Sequence, residues 1–186
     1  AGCMRTRRAS LAPAHDTRSV RVAPRGSMRI GRMTDLEVGE ASELLRLAYV
    51  HLGRLEGLTA AQTGYLVSER GSVECVRSES REQEYLVARD GEKIVGLVSV
   101  RGHQITKLYV SPEHTGEAIG SCLFEEAESL IRSRGLGRLT LGAFPTAVGF
   151  YRRMGLRVVG RKSATGPLTG LTITLMEKEL GPGRPN

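Results

Sequence analysis

Residues 108–134 read LYVSPEHTGEAIGSCLFEEAESLIRSR. The apolar start predicts a short buried strand, the glycines at 116 and 120 predict a tight turn, and the remainder predicts an amphipathic helix. Apolar residues recur in this helix at spacings of three and four, the period of a single helix face; they are Ile119, Cys122, Leu123, Ala127, Leu130 and Ile131. A strand and turn of this kind at a helix N-terminus typically bind an anion, because the first helical N–H groups have no partner within the helix and the helix dipole adds partial positive charge.

This stretch resembles the acyl-CoA-binding motif of the GNAT superfamily of N-acyltransferases, which is Arg/Gln-x-x-Gly-x-Gly/Ala after a strand that ends in Val-x-Pro. Thr115, Ala118 and Gly120 fall on the three defining positions. A second segment, AVGFYRRMG at residues 147–155, resembles the later A-x-x-F-Y-x-x-x-G-F segment of the same family. Because both segments occur in the right order with a strand between them, the resemblance is fairly specific, and it covers residues 28–180.

The resemblance implies a fold and a reaction. The implied fold is α/β (α+β), with a mixed, mostly antiparallel central sheet flanked by helices. The implied reaction moves an acetyl group from acetyl-CoA to a primary amine of a small molecule, peptide or protein by direct attack. Pyrophosphate would bind the turn and pantetheine would run along the preceding strand, so the implied cofactor-binding residues are Leu108, Tyr109, Val110, Thr115, Gly116, Glu117, Ala118, Ile119, Gly120 and Ser121.

Tyr151 falls where many members of the family place the general acid for the leaving thiolate. A phenol with a pKa of about 10 can protonate a thiolate with a pKa of about 8.5 when the two are within hydrogen-bond reach. The alternative is that Tyr151 only packs. Phe150 and Tyr151 diverge by about 100° on a helix, so one ring can pack while the other faces the cofactor.

The general base is left open by the sequence, with Glu84, His103 and His114 as candidates. In the family, the early helices and the loop between them line the acceptor site. Contacts to the acceptor are therefore sought among Tyr49, His51, Arg54, Tyr65 and Glu69, although a core or solvated position explains each of them as well. The four histidines have no metal-ligand spacing, so no metal site is predicted.

The turn departs from the family motif at three positions. Thr115 replaces the usual Arg or Gln, Ala118 replaces the middle Gly, and Glu117 stands where a basic residue is common. Ala118 fits the turn only if its φ is negative or the turn adjusts, and a carboxylate at 117 repels a pyrophosphate unless it points away. These departures support a second hypothesis, a non-catalytic GNAT-like module that binds acyl-CoA weakly or binds a partner instead.

The net charge of +7 arises mostly outside the predicted domain. Residues 1–27 contain six arginines and one aspartate, so this leader carries +5 of the total. We interpret it as disordered sequence or a tag remnant, with a transit peptide and a nucleic-acid-binding arm as alternatives. The domain is expected at 28–180 and a tail at 181–186; nucleic-acid binding is the third and least favoured hypothesis for function.

The composition is ordinary for a soluble globular protein, at 40% hydrophobic and 25% charged residues. No run of about 18 apolar residues occurs, so no membrane span is predicted. Cys3, Cys75 and Cys122 form neither a CxxC pair nor an even set, which favours reduced thiols in the cytoplasm. The expected partners are acetyl-CoA and an amine, and the chain is either a monomer or a homodimer.

Patterns elsewhere in the chain predict an antiparallel meander before the central stretch and a hairpin after it. The Asp90–Gly91 pair is a hairpin signal between two strands, and a strand–helix–strand connection is normally parallel and right-handed. Strands are predicted at 28–33, 85–89, 93–101, 103–110, 139–141, 156–160 and 171–179, helices at 34–53, 59–71, 119–134 and 147–154, with further helical turns in 72–81 and a loop at 160–170.

Overall fold

A seven-stranded sheet forms the centre of the protein, whose residues 28–181 are described by a computed structural model. The strand order is β1-β2-β3-β4-β5-β7-β6, and only β4 and β5 are parallel. The predicted mixed, mostly antiparallel sheet flanked by helices is therefore confirmed. The strands are β1 (Met28–Arg32), β2 (Glu84–Asp90), β3 (Lys93–Arg101), β4 (Gln104–Val110), β5 (Arg138–Ala143), β6 (Arg157–Ser163) and β7 (Thr172–Glu179). The predicted leader, and the predicted tail beyond Gly181, lie outside the described residues.

Helices cover both faces of this sheet. Thr59 begins the second of them with a capping box: its Oγ1 accepts a hydrogen bond from the backbone N–H of Gln62 at 3.2 Å, and its own N–H donates to Gln62 Oε1 at 3.0 Å. A π-helical segment, Leu66–Arg70, follows that helix directly. In the described part of the chain no helix is both long and apolar enough to cross a membrane. The α-helices are α1 (Val38–Leu55), α2 (Ala60–Tyr65), α3 (Val73–Glu79), α4 (Ile119–Ser133) and α5 (Val148–Arg153).

Two hydrophobic cores lie on the two faces of the sheet. One is formed under α4 and α5, where Leu123, Phe124 and Ile131 are fully buried. The other lies under α1–α3, where Leu45 and Val76 are fully buried. β3 contributes to both cores, and seven of its nine residues are buried, because a central strand has a core on each of its faces.

The sheet is interrupted where β4 meets β5. These strands pair only at Gln104–Thr140 and Ile105–Leu141, and they have no pairing farther along β4. A bulge occurs at the same place: Ser99 pairs with Lys107 and Val100 with Ile105, which leaves Thr106 as an extra residue. Bulges of this kind increase twist and end pairing, so the end of β4 separates from β5 and a gap opens between them.

The second hairpin differs from its prediction. We expected a strand at 156–160 and a loop at 160–170, but β6 continues to Ser163 and the loop occupies 164–171. Gly160 was taken as the end of the strand, and this is wrong because Gly160 lies inside β6 beside a register irregularity after Val158. A glycine within a strand commonly marks such a bulge.

Candidate active site

The gap between β4 and β5 contains a cavity of about 140 Å³. Three of the residues predicted for the site, Leu108, Tyr109 and Tyr151, line it. Val110 lies nearby and packs against the core beneath α4. The complete lining is Leu52, Ile105, Thr106, Lys107, Leu108, Tyr109, Leu141, Gly142, Ala143, Phe144, Ala147 and Tyr151. A cavity of this kind, with both polar and apolar side chains in its lining and with strand backbone beside it, suits an extended ligand that pairs along β4.

Tyr151 is positioned by α5, a two-turn helix that packs over the gap. Tyr151 is 8% exposed. The centroid of its ring lies 5.1 Å from the ring centroid of Phe150 and 6.3 Å from that of Phe124. Its hydroxyl has no hydrogen-bond partner among residues 28–181, although the residue lines the cavity. Burial raises the pKa of the phenol well above its usual value, with a smaller contribution from Tyr109. The hydroxyl is therefore protonated at neutral pH, and it is a weaker acid than an exposed phenol.

The predicted phosphate turn joins β4 to α4. A 3₁₀ turn at Pro112–His114 leads into it, Gly116 takes φ 88° and Ala118 takes φ 62°, and α4 begins at Ile119. Within the described chain, no residue accepts a hydrogen bond from the N–H groups of residues 119–121. These donors therefore remain available to an anion at the start of a 15-residue helix.

The structure places the three side chains at which the turn departs from the family motif. Ala118 adopts a left-handed conformation, where a side chain is unfavourable and where the family motif has Gly. Glu117 does not extend alone into solvent, because its Oε2 lies 3.1 Å from Nδ1 of His114. Thr115 Oγ1 donates to the carbonyl of Pro112 at 3.0 Å, so the remaining polar side chain of the turn is used within the turn itself.

The three candidate general bases do not line the cavity. Glu84 forms an ion pair with Arg32 at 2.7 Å and another with Arg134. His103 is exposed in the β3–β4 turn, at the end of β4 that is still paired with β5. His114 is the partner of Glu117 in the phosphate turn.

Of the candidate acceptor contacts, Tyr49 packs against Tyr109, which lines the cavity. Its ring is 3% exposed and meets the ring of Tyr109 edge-on, with centroids 5.1 Å apart. Tyr65 packs against the core beneath α1–α3, His51 is half-buried, and the exposed residues are Arg54 and Glu69. Burial raises the pKa of Tyr109 to about 12, so it too is protonated at neutral pH.

A buried charged cluster beside the cavity was missed by the sequence analysis. Glu79 at the end of α3 bonds to Lys107, accepts from the Tyr85 hydroxyl at 2.7 Å and pairs with Arg70 at 2.6 Å. Burial raises the pKa of the Glu79 carboxyl, but the bonds from Lys107 and Tyr85 outweigh this and hold that pKa below its usual value. The sequence feature that could have revealed this cluster is the lysine within the otherwise mostly apolar strand sequence ITKLYV at residues 105–110.

Two long-range hydrogen bonds connect the early helices to later parts of the chain. The backbone N–H of Thr146 donates to Glu56 Oε1 at 2.9 Å, which joins the end of α1 to the segment before α5. Gln62 Nε2 donates to the carbonyl of Thr169 at 3.1 Å, which joins α2 to the β6–β7 loop.

Comparisons with known proteins agree with this geometry. The family model of the acetyltransferase (GNAT) domain matches residues 59–180. The peptidyl-lysine N-acetyltransferase YjaB of Salmonella typhimurium is 32% identical over 77 residues, which are 41% of this chain and 52% of that protein. The chain thus spans about half the length of this curated relative.

Solved structures share the fold. A GCN5-related N-acetyltransferase of Rhodopseudomonas palustris has a TM-score of 0.77 at 22% identity, covering 83% of this chain and 97% of that chain. PaiA N-acetyltransferase of Thermoplasma acidophilum, in complex with coenzyme A, has a TM-score of 0.67 at 21% identity, covering 83% and 99%. Since the family model matches more than half of the sequence, the chain belongs to the acetyltransferase (GNAT) domain family.

Proposed function

We propose that the protein transfers the acetyl group of acetyl-CoA to a primary amine of a small molecule or peptide. The observation that carries this proposal is the gap between β4 and β5, whose cavity is lined by Tyr151, a residue with no hydrogen-bond partner for its hydroxyl among residues 28–181. Coenzyme A in the PaiA structure supports acetyl-CoA as co-substrate. We also propose a cytoplasmic location, since Cys75 and Cys122 are free thiols.

In this proposal, pyrophosphate binds the free N–H groups at the start of α4, together with the turn residues 115–118. Pantetheine runs along Leu108, Tyr109 and Val110, where β4 has no partner on the β5 side. The thioester carbonyl then lies in the gap, and backbone N–H groups of β4 stabilise the oxyanion, a contribution of about 3 kcal/mol per donor.

The neutral amine attacks the thioester carbon directly. The N–C bond forms, the C–S bond breaks, and the thiolate of CoA takes the proton of Tyr151. The proton lost by the amine passes to water, because Glu84, His103 and His114 lie away from the cavity. Solvent then reprotonates the phenolate, whose raised pKa makes it a strong acceptor.

Replacing Tyr151 with Phe tests the role of the hydroxyl, because the change removes one oxygen and leaves the ring in place. We expect kcat to fall about a hundredfold, the usual contribution of a general acid, while the Kd for acetyl-CoA stays within about threefold. The measurements are release of free CoA thiol at saturating amine, and calorimetric titration of acetyl-CoA. Unchanged kcat in a variant with the parent's thermal midpoint would remove Tyr151 from the mechanism.

The phosphate turn favours a second candidate function, a module that binds acyl-CoA weakly and has no turnover. Its basis is Ala118 at positive φ and a carboxylate at Glu117. Titration of acetyl-CoA into the parent and into an Ala118→Gly, Glu117→Lys variant separates the two candidates. Micromolar binding by the parent supports the enzyme, whereas binding by the variant alone supports the module.

A further inference from the structure

The charged cluster around Glu79 contains more positive than negative charge. Arg70 and Lys107 both bond to this one carboxylate, and the third partner is the neutral hydroxyl of Tyr85. Within residues 28–181, neither cation forms an ion pair with a second carboxylate. The cluster therefore carries one net positive charge.

This excess charge is poorly solvated. The side chain of Lys107 is 4% exposed and that of Glu79 17%. An ammonium has three N–H donors, and the described residues supply one hydrogen-bond acceptor for Lys107, which is Glu79 Oε2. A buried cation with incomplete pairing is unfavourable, and a second anion at the cluster offsets that cost.

The cluster can be reached by a ligand through Arg70. Its side chain is 41% exposed, its Nη2 donates to Glu79 Oε1 at 2.6 Å, and its Nη1 donates to Cys75 Sγ at 3.7 Å, which leaves its remaining N–H donors for a ligand. A guanidinium has five donors in one plane and binds carboxylate or phosphate with two parallel hydrogen bonds. Because Glu79 fixes this side chain, little conformational entropy is lost when an anion binds to it.

The cluster also adjoins the gap in the sheet. Tyr85, Ser99 and Lys107 are cross-strand neighbours on β2, β3 and β4. Lys107 lies two residues beyond Ile105, the last residue of β4 that pairs with β5. Lys107 is the one charged residue in the lining of the cavity, and Tyr109 lies beside it there. A molecule whose amine reaches the gap on this face therefore has the cluster next to it.

From these observations we infer that the acceptor amine carries an anionic group, a carboxylate or a phosphate, which binds Arg70 and Lys107 while the amine meets the thioester. This inference rests on the proposed acetyl transfer and names the substrate class for the same site. The same positive charge disfavours polyamines and other acceptors that carry a second cation, since like charges at close range repel.

The test uses matched amines in the CoA-release assay. Glycine, β-alanine, 4-aminobutanoate and 5-aminopentanoate are each compared with their amides, and O-phosphoethanolamine is compared with ethanolamine, so that carboxylate and phosphate are distinguished. We expect kcat/KM at least tenfold higher for the anionic member of the best pair. The ratio of kcat/KM for the anionic amine to kcat/KM for its neutral counterpart measures this preference. We expect Arg70→Gln to reduce this ratio about tenfold, mainly through the KM of the anionic amine.

Lys107→Met is the second variant, and Lys93→Met is its control, because Lys93 is an exposed lysine at the start of β3, 68% exposed in its side chain. Lys107→Met should reduce the ratio and Lys93→Met should not. If Lys107→Met has a lowered thermal midpoint, the double variant with Glu79→Gln replaces it; with Lys107 and Glu79 both neutral, the charge that remains is that of Arg70, whose side chain is 41% exposed.

The outcomes separate this inference from the function on which it rests. Equal turnover of anionic and neutral amines, or a ratio unchanged in Arg70→Gln, overturns the inference and leaves acetyl transfer in place. Absence of CoA release with every amine contradicts the proposed function, and the inference falls with it.

Discussion

Ala118 shows how a single residue limits the phosphate turn. Its φ of 62° lies in the left-handed region, which a side chain disfavours by about 1–2 kcal/mol and which glycine adopts freely. The surrounding chain holds it there, because Pro112–His114 precedes the turn and α4 must begin at Ile119 to place its apolar face on the sheet. The residue is therefore strained in the free protein.

Ala118→Gly should stabilise the fold by about 1 kcal/mol, since it removes the strain of a Cβ at positive φ. The measurement is the free energy of unfolding from urea denaturation at neutral pH. Ala147→Gly is the matched control: Ala147 has φ −87°, so the same change there should destabilise by about 0.5 kcal/mol. A loss of stability in Ala118→Gly would show that the turn holds no such strain.

At the scale of elements, a single carboxylate joins the 3₁₀ turn Asp35–Glu37, which leads into α1, to the sheet. Glu37 accepts two hydrogen bonds from Arg89 of β2, at 2.5 and 2.7 Å, and a third from the N–H of Thr34 at 2.7 Å. The Arg89 bonds make the largest contribution to lowering the pKa of Glu37 to about 2, against the opposing effect of burial. Because the pKa is lower in the folded chain than in the unfolded one, this stabilisation is present above pH 4.5 and is lost as the pH falls towards 2.

Glu37→Gln should therefore lower the free energy of unfolding by about 1–2 kcal/mol at pH 7, a value reduced for solvent screening because the side chain is 20% exposed. The difference from the parent should shrink as the pH is lowered through 4.5 towards 2. Urea denaturation at several pH values measures it. Glu43→Gln, an exposed position on α1, is the control and should change stability by less than about 0.5 kcal/mol at every pH; a Glu37 effect independent of pH would contradict the argument.

At the scale of the whole molecule, the gap divides the sheet into two parts. Strands β1–β4 lie on one side and β5, β7 and β6 on the other, and two residue pairs join them. A ligand that lies along β4 and contacts α5 bridges both parts, so its binding energy should add to the stability of the entire fold.

Acetyl-CoA at a hundred times its Kd should raise the thermal midpoint by about 5–10 °C, because such binding contributes about 2.7 kcal/mol and 1 kcal/mol shifts the midpoint of a chain of this size by about 2–4 °C. Scanning calorimetry with and without ligand measures the shift, and adenosine alone, which lacks the pantetheine arm, is the control. A midpoint that stays constant up to millimolar acetyl-CoA would contradict the proposed binding mode.

Local periodicity and turn chemistry were enough to predict most of the elements. The apolar spacing from Ile119 to Ile131 predicted α4, and the hairpin signal at Asp90–Gly91 falls where β2 ends at Asp90 and the turn to β3 begins. Such signals are readable because they depend on neighbours within about four residues. The two motifs, in their order along the chain, were enough to identify the family and the mixed sheet.

The site itself was decided by contacts between distant residues. Ile105 and Leu108 pack in the same core although they are three residues apart, because the bulge at Thr106 shifts the register. The spacing between Ile105 and Leu108 can be seen in the sequence. Only the pairing of β4 with β3 shows that Thr106 is the extra residue, and that β4 stops pairing with β5 after Ile105.

Tertiary structure alone also assembled the charged cluster. Glu79 and Lys107 are 28 positions apart, and their pairing depends on how α3 packs over β4. Likewise, Glu84 and His103 looked like bases in the sequence, and only the folded sheet places them away from the gap. The sequence by itself determined the elements and the family, because those follow from local patterns; the gap, the position of Tyr151 and the charge beside it depend on long-range packing, which no local pattern encodes.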